Sequence, residues 1–353
     1  MRQLDRYIGS TILLSCLTVL LLIVSLDSLF ALIDYLSKDR YHFTMTTIAQ
    51  YMLLTLPGRI YEFASLAMLV GCLTGLGFMA SNSELTVMRA AGISTLRILL
   101  SVMRPVLLLV VLVALMGELV LPHSEQAGVA LRAKAKGTAD STINQWNVWH
   151  REGDWYINAG AVDTDGTLHG LTRYRIDPER HLLAASYARL GEYRSDGWDL
   201  KQVSTTYFEG DHTRTEHVAS ELWRIELRPE LLQYLAMEPI NMSVQGLLNY
   251  SDYLELQGIN AGRYRFAMWN KLLMPLAIFG LVLIATSFVF GSMRSVTLGQ
   301  RVMVGVIVGL LFKFSQDLLG PASLVFGFSP LIAALVPVLV CVLAGGFMLR
   351  RAG

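Results

Sequence analysis

Seven charged residues stand inside or at the borders of long apolar runs: Asp27, Asp34, Arg59, Glu62, Glu118, Lys313 and Asp317. Charge at membrane depth is costly, so such side chains pair with one another or face protein or water. Two arrangements fit them. Interhelical ion pairs with snorkelling side chains would tie the spans together. A cavity open to one side would instead receive an amphiphile with an anionic head. Lys313 and Asp317, one helical turn apart, could pair along their own helix. Just beyond the third apolar run, Arg132, Lys134 and Lys136 form a basic cluster where such a head would travel.

Bond-making chemistry has no comparable footing. The chain lacks a Walker A sequence, HExxH and G-x-S-x-G, so nucleotide hydrolysis, zinc proteolysis and serine hydrolysis have no signature. The seven histidines are mostly scattered through the polar middle, and His212 and His217 are out of phase for one strand face. The DTDG run at 163–166 would open a calcium loop, but the twelfth position holds Tyr174 where an acid is required. Cys16, Cys72 and Cys341 all fall in apolar runs and read as small buried residues rather than disulfide or metal partners. The chain therefore reads as a non-enzyme with no metal or cofactor of its own. A net charge of +1 argues against a nucleic-acid partner.

The elements that position these charges are membrane spans. Of the 353 residues, 53% are hydrophobic and 16% charged, and the apolar runs are long enough to cross a bilayer. Six spans are expected, near 12–33, 56–80, 98–121, 268–290, 302–320 and 330–349. The first is too long for a cleaved signal and stays in the membrane. Arg2, Arg6, Arg89, Arg97, Arg294, Arg301, Arg350 and Arg351 all border one face, which the positive-inside rule makes cytoplasmic, with both termini there. Gly71 and Gly75 offer a small-residue face for close helix packing.

Between spans two and three, residues 81–97 read as a short amphipathic helix. Ser81 or Ser83 would cap it, Glu84 stands in its first turn, and Leu85, Val87, Met88 and Ala91 share helical spacing. It suits docking to a soluble partner, or lying on lipid headgroups. Residues 122–265 form a separate extracytoplasmic insert. From Trp146 to Leu227 it alternates, rich in Val, Ile, Thr, Tyr and Trp, with turns at 163–166, 177–180 and 195–197. A β-sandwich or an open, jelly-roll-like all-β fold is expected, followed by a helical return over 229–265.

Several stretches in order resemble the lipopolysaccharide export permeases, the LptF/LptG family: LDRYIG (4–9), SELTVMRAAG (83–92), GELVLP then EQ (117–126), FGSMRSVTLGQRV (290–302) and DLLGPASLVFG (317–327). The resemblance implies a six-helix integral membrane protein divided into 1–121, an inserted periplasmic β domain over 122–265, and 266–353. It implies an inner-membrane half-transporter in a Gram-negative bacterium. Its partners would be an LptF-like sister permease, an LptB-like ATPase dimer that uses ATP and Mg²⁺, an LptC-like periplasmic partner, and lipopolysaccharide. The 81–97 helix would be the coupling helix, with Glu84 and Arg89 facing the ATPase. Leu26 and Phe30 on the first span and Phe314 and Leu318 on the fifth would line lateral gates. Lys38, Arg40, Arg59, Arg132, Lys134, Lys136 and Lys313 would meet lipid phosphates, Arg40, Arg59 or Lys313 compensating for Ala31, where some relatives carry a lysine. Two other readings stay open. An ion-coupled secondary transporter would use the intramembrane charges but should show internal repeats, which are not evident. A membrane-anchored binding or assembly module would tolerate loss of Glu84.

Overall fold

The computed structural model describes residues 2–37, 44–137, 148–162, 167–177, 179, 181–194, 197–210, 212–224, 237–291 and 296–352. Helices α1 (Arg2–Ser37) and α2 (Met45–Ser81) are followed by a seven-residue helix α3 (Glu84–Ala90). Helix α4 (Thr95–Leu115) passes through a π-helical turn (Met116–Val120) into α5 (Leu121–Gly137). After six strands come α6 (Val244–Leu256), α7 (Gly262–Phe290), α8 (Leu298–Phe326) and α9 (Pro330–Ala352). Among the described residues, six helical segments are long and apolar enough to cross a membrane: Gln3–Ser37, Met45–Ser81, Thr95–Gly128, Gly262–Phe290, Gly299–Phe326 and Pro330–Arg351.

Most of these spans outrun the apolar runs that reveal them. At 37 residues α2 rises about 56 Å, well past a hydrocarbon core of about 30 Å. The apolar run marks only the part in lipid, and ordinary helix formers carry the element on into water. The third span runs on from the expected end at 121 to Gly128, the helix continuing through the π turn and past Pro122 instead of stopping there.

Glycine sets how closely the helices approach. A Cβ on Gly71 would lie 2.5 Å from the Cα of Cys16, and one on Gly75 would lie 2.9 Å from Ile12 Cδ1. The small-residue face is therefore where α1 beds against α2. On the other side, Gly305 and Gly309 bring α8 onto Leu73 and Leu66 of α2. Overpacking of this kind costs about 1–3 kcal/mol, and here the obstacle is backbone, which cannot swing away. Gly71→Val should accordingly lower the thermal unfolding midpoint of the detergent-purified protein. An unchanged midpoint would mean that α1 does not pack there.

The insert is an antiparallel sheet of six strands: β1 (Val148–Glu152), β2 (Trp155–Val162), β3 (Leu168–Ile176), β4 (Leu182–Arg194), β5 (Gly197–Glu209) and β6 (His212–Trp223). Every strand pairs with its neighbours in sequence, as short hairpins favour. Of the two expected arrangements this is the open one: the described strands form one sheet. The turn at 177–180 is held by Asp177, whose carboxylate accepts the His181 amide at 2.7 Å, and that bond keeps its pKa below the usual range. At 195–197, Gly197 has φ +140, and a Cβ there would strike the Trp223 carbonyl at 2.5 Å.

One buried cluster joins the sheet to its helical return. Ile157, Leu171, Trp198, Leu200 and Val203 from the strands continue into Leu247, Tyr250 and Leu254 of α6 and Met268 of α7. Ser243 caps α6, accepting the Gly246 amide at 3.0 Å. Of the intermittent apolar stripe that the sequence offers over this return (Leu231, Leu232, Leu235, Leu247, Leu248, Tyr250, Tyr253 and Leu254), Leu247, Tyr250, Tyr253 and Leu254 form the buried face of α6. Leu248 is exposed, and Leu231, Leu232 and Leu235 lie outside the described residues. Inside the sheet Arg173 is buried, with its guanidinium 5.1 Å from the rings of both Trp155 and Trp223 and paired with Glu221.

Candidate functional site

The functional geometry lies at two opposite ends of the bundle and along its two sides. At one end α3 is rooted in the membrane core through Leu85 and Met88. Val87, expected on that apolar face, is two-thirds exposed beside Arg89. The helix is also shorter than 81–97 and is not capped by serine. Ser81 Oγ donates to the Phe78 carbonyl of α2 at 2.8 Å, while Ser83 takes φ +60 with no capping bond. Gly92 at φ +83 ends the helix, and Ser94 caps α4. The corner is thus held by a left-handed turn at each end, which propensity alone would place on glycine.

Glu84 opens α3, where a carboxylate suits the helix dipole. One of its oxygens accepts from Tyr7 Oη of α1 at 3.2 Å, and the other, Oε2, is buried without a partner among the described residues. Around it the bundle is cross-braced. Asp5 accepts from Ser101 Oγ at 2.8 Å, Arg89 lies 6.0 Å from the Phe290 ring, and buried Arg301 donates to the Gly77 carbonyl at 2.8 Å. Through Glu84–Tyr7, Arg89–Phe290 and the buried Leu85 and Met88, α3 itself is held to α1, α7 and the core of the bundle.

At the other end a polar node ties three spans to the base of the sheet. In the π turn, the Leu121 amide reaches back five residues to the Met116 carbonyl. The next amide in that register would serve Gly117, but residue 122 is proline and has none. Lys271 of α7 fills the gap. Its Nζ donates to the Gly117 carbonyl at 2.9 Å and to the Met242 carbonyl at 2.5 Å, and lies 5.3 Å from the Tyr61 ring of α2. Glu118 caps α6, both carboxylate oxygens accepting the Val244 amide at 3.1 and 2.9 Å. Lys271 is absent from the expected site residues. The signal available was an ammonium nine residues into an apolar span.

Four of the remaining intramembrane charges form two pairs between helices. Arg59 of α2 binds Asp27 of α1, and Lys313 of α8 binds Glu62 of α2. The expected Lys313–Asp317 pair along α8 does not form, because Glu62 stands closer across the helix contact. Of the other basic positions, Lys38 and Arg40 lie outside the described residues. Arg132, Lys134 and Lys136 fall on the last turns of α5, where only the backbone is described.

Leu26 and Phe30 project from α1, and Phe314 and Leu318 from α8, all more than half exposed. In their most apolar stretches α1 and α8 bury only 11% and 17% of their residues, against 67% for α2 and α7. Both pack on α2, so the bundle presents two long apolar flanks.

These features define a class: a six-span membrane protein with an inserted antiparallel sheet, braced through charged nodes at both ends. Residues 6–351 match the model of the family described as lipopolysaccharide export system permease LptF/LptG, and the chain belongs to that family. It is 35% identical over 342 residues to the lipopolysaccharide export system permease protein LptG of Escherichia coli K12, covering 95% of this chain and 94% of that one. It is 32% identical over 353 residues to LptG of Haemophilus influenzae Rd, covering 99% and 98%.

Proposed function

We propose that the chain is the LptG-type half of an exporter that draws lipopolysaccharide out of the inner membrane and passes it to a periplasmic bridge. Its α3 end then faces the cytoplasm, where the arginines gather. The sheet stands in the periplasm. The observation that carries the reading is the pair of unburied flanks, α1 and α8, held on the largely buried α2. Flanks of this kind suit lateral gates shared with an LptF-like sister permease, with Leu26, Phe30, Phe314 and Leu318 meeting acyl chains.

Lipid extraction cannot run on thermal energy alone, since each buried CH₂ is worth about 0.8 kcal/mol. The work comes from an LptB-like ATPase dimer, which holds the ATP and Mg²⁺ and grips α3 through Glu84 and Arg89. Glu84, half-buried at the exposed start of α3, places a carboxylate at the face where that subunit would dock. Lys38, Arg40, Arg132, Lys134 and Lys136 receive lipid phosphates at the periplasmic end. Arg59 and Lys313 join them on release from Asp27 and Glu62. Strand β6, exposed along most of both faces and at one edge of the sheet, offers backbone groups to an LptC-like partner.

Photo-crosslinking tests this reading. A photoreactive residue at Phe30 or Phe314 should label lipopolysaccharide in the assembled complex, and one at exposed Leu256 on α6 should not. Equal labelling at all three would remove the flanks from the lipid path.

A further inference from the structure

A slot of about 410 Å³ lies within this single chain, between α2, α7 and α8, and the export role proposed above draws on only the Lys313–Glu62 pair of its lining. Along α7 it runs from Arg263 to Leu281, eighteen residues or about 27 Å of helix. Its deep end is apolar, walled by Leu66, Ala277, Leu281, Gly309 and Leu310. Its mouth, beside the turn at Pro239–Asn241, carries Glu238, Arg263 and Asp317, with the Lys313–Glu62 pair on the rim.

The slot is long and narrow, greasy at one end and charged with both signs at the other. That is the outline of an amphiphile. Its volume is at the low end of the range of about 300–1,000 Å³ for small-molecule sites, which suits one acyl chain rather than several. At the mouth, Lys313 is occupied by Glu62, whereas Arg263 and Asp317 make no ion pair or hydrogen bond among the described residues. Asp317 lies nine residues before the end of α8, about 14 Å along the helix. It stands three residues inside the end of the apolar run at 320 and is exposed, and a carboxylate at that depth faces water or a cation.

We infer that this slot is a binding site for one chain of a zwitterionic glycerophospholipid, with Arg263 taking its phosphate and Asp317 and Glu238 its primary ammonium. A purely anionic lipid would leave the two carboxylates facing a phosphate. A lipid with a quaternary ammonium would match the charge but could not donate hydrogen bonds to them.

The test uses the full chain purified with its native complex, stripped of lipid, and titrated with phosphatidylethanolamine, phosphatidylglycerol or lipopolysaccharide under native mass spectrometry. Phosphatidylethanolamine should be retained in preference to phosphatidylglycerol. Asp317→Asn and Arg263→Gln should each weaken it at least about tenfold, the scale of one charge-assisted hydrogen bond. Leu310→Trp, which fills the deep end, should displace it. Thermal unfolding of the apo variants separates lost binding from lost folding. Equal retention of the two phospholipids, unaffected by Asp317→Asn, would reduce the slot to an annular contact and overturn the assignment. Occupancy by lipopolysaccharide alone would also overturn it and make the slot part of the export path.

Discussion

A chain carrying Glu84→Ala inserts, folds and keeps its sheet, yet it no longer couples to an ATPase. The substitution removes a half-buried carboxylate whose one internal bond, from Tyr7, is replaceable by water. The anchors of α3, Leu85 and Met88, are untouched. What disappears is a charged acceptor for the ATPase subunit. A hydrogen bond to a charged group is worth about 1.5–3 kcal/mol, so the affinity of that contact should fall about ten- to a hundredfold. Pull-down of the ATPase, lipid-stimulated ATP hydrolysis and lipopolysaccharide export should all drop. Tyr7→Phe, which loses only the internal bond, should retain most of each. Normal export from Glu84→Ala would exclude Glu84 from coupling, and so would an equal defect in Tyr7→Phe.

Lys271→Met acts at the opposite end, with an effect of similar size on stability. Methionine keeps much of the apolar stem but donates nothing. The Gly117 carbonyl, already denied an amide by Pro122, and the Met242 carbonyl both lose their donor. At about 1–3 kcal/mol for each acceptor left unsatisfied, the penalty is about 3 kcal/mol, and it falls where the sheet joins the membrane bundle. The first consequence should be loosening of α6. Amide exchange should accelerate across Val244–Leu256 well before it does in the core of α2. Uniform exchange across the whole chain would mean that Lys271 supports global packing rather than this junction.

Much of this was legible in the sequence, for reasons that differ by element. The spans announce themselves because a bilayer demands uninterrupted apolar length, and the strands because alternation and turn residues repeat. Gly71 and Gly75 offered a small-residue face, a common pattern in spans, and the approach of α1 at Cys16 and Ile12 gives it its partner. The ends of α3 could not be read. Ser83 adopts a left-handed conformation there, overriding the capping role that its residue type suggests. Nor could the partners of the intramembrane charges, because Lys313 reaches Glu62 from 251 residues away, although Asp317 is only four distant. The node at Lys271 needs three facts that no local pattern joins: a π turn, a proline without an amide, and an ammonium on another helix.

The most direct measurement is purification of the tagged chain from its native membrane in mild detergent, with mass spectrometry of the bound protein and lipid. An ATPase in stoichiometric amount, a second six-span relative and bound lipopolysaccharide are the expected result. A chain that emerges alone or as a homo-oligomer in several detergents, without ATPase or lipopolysaccharide, would contradict the half-transporter.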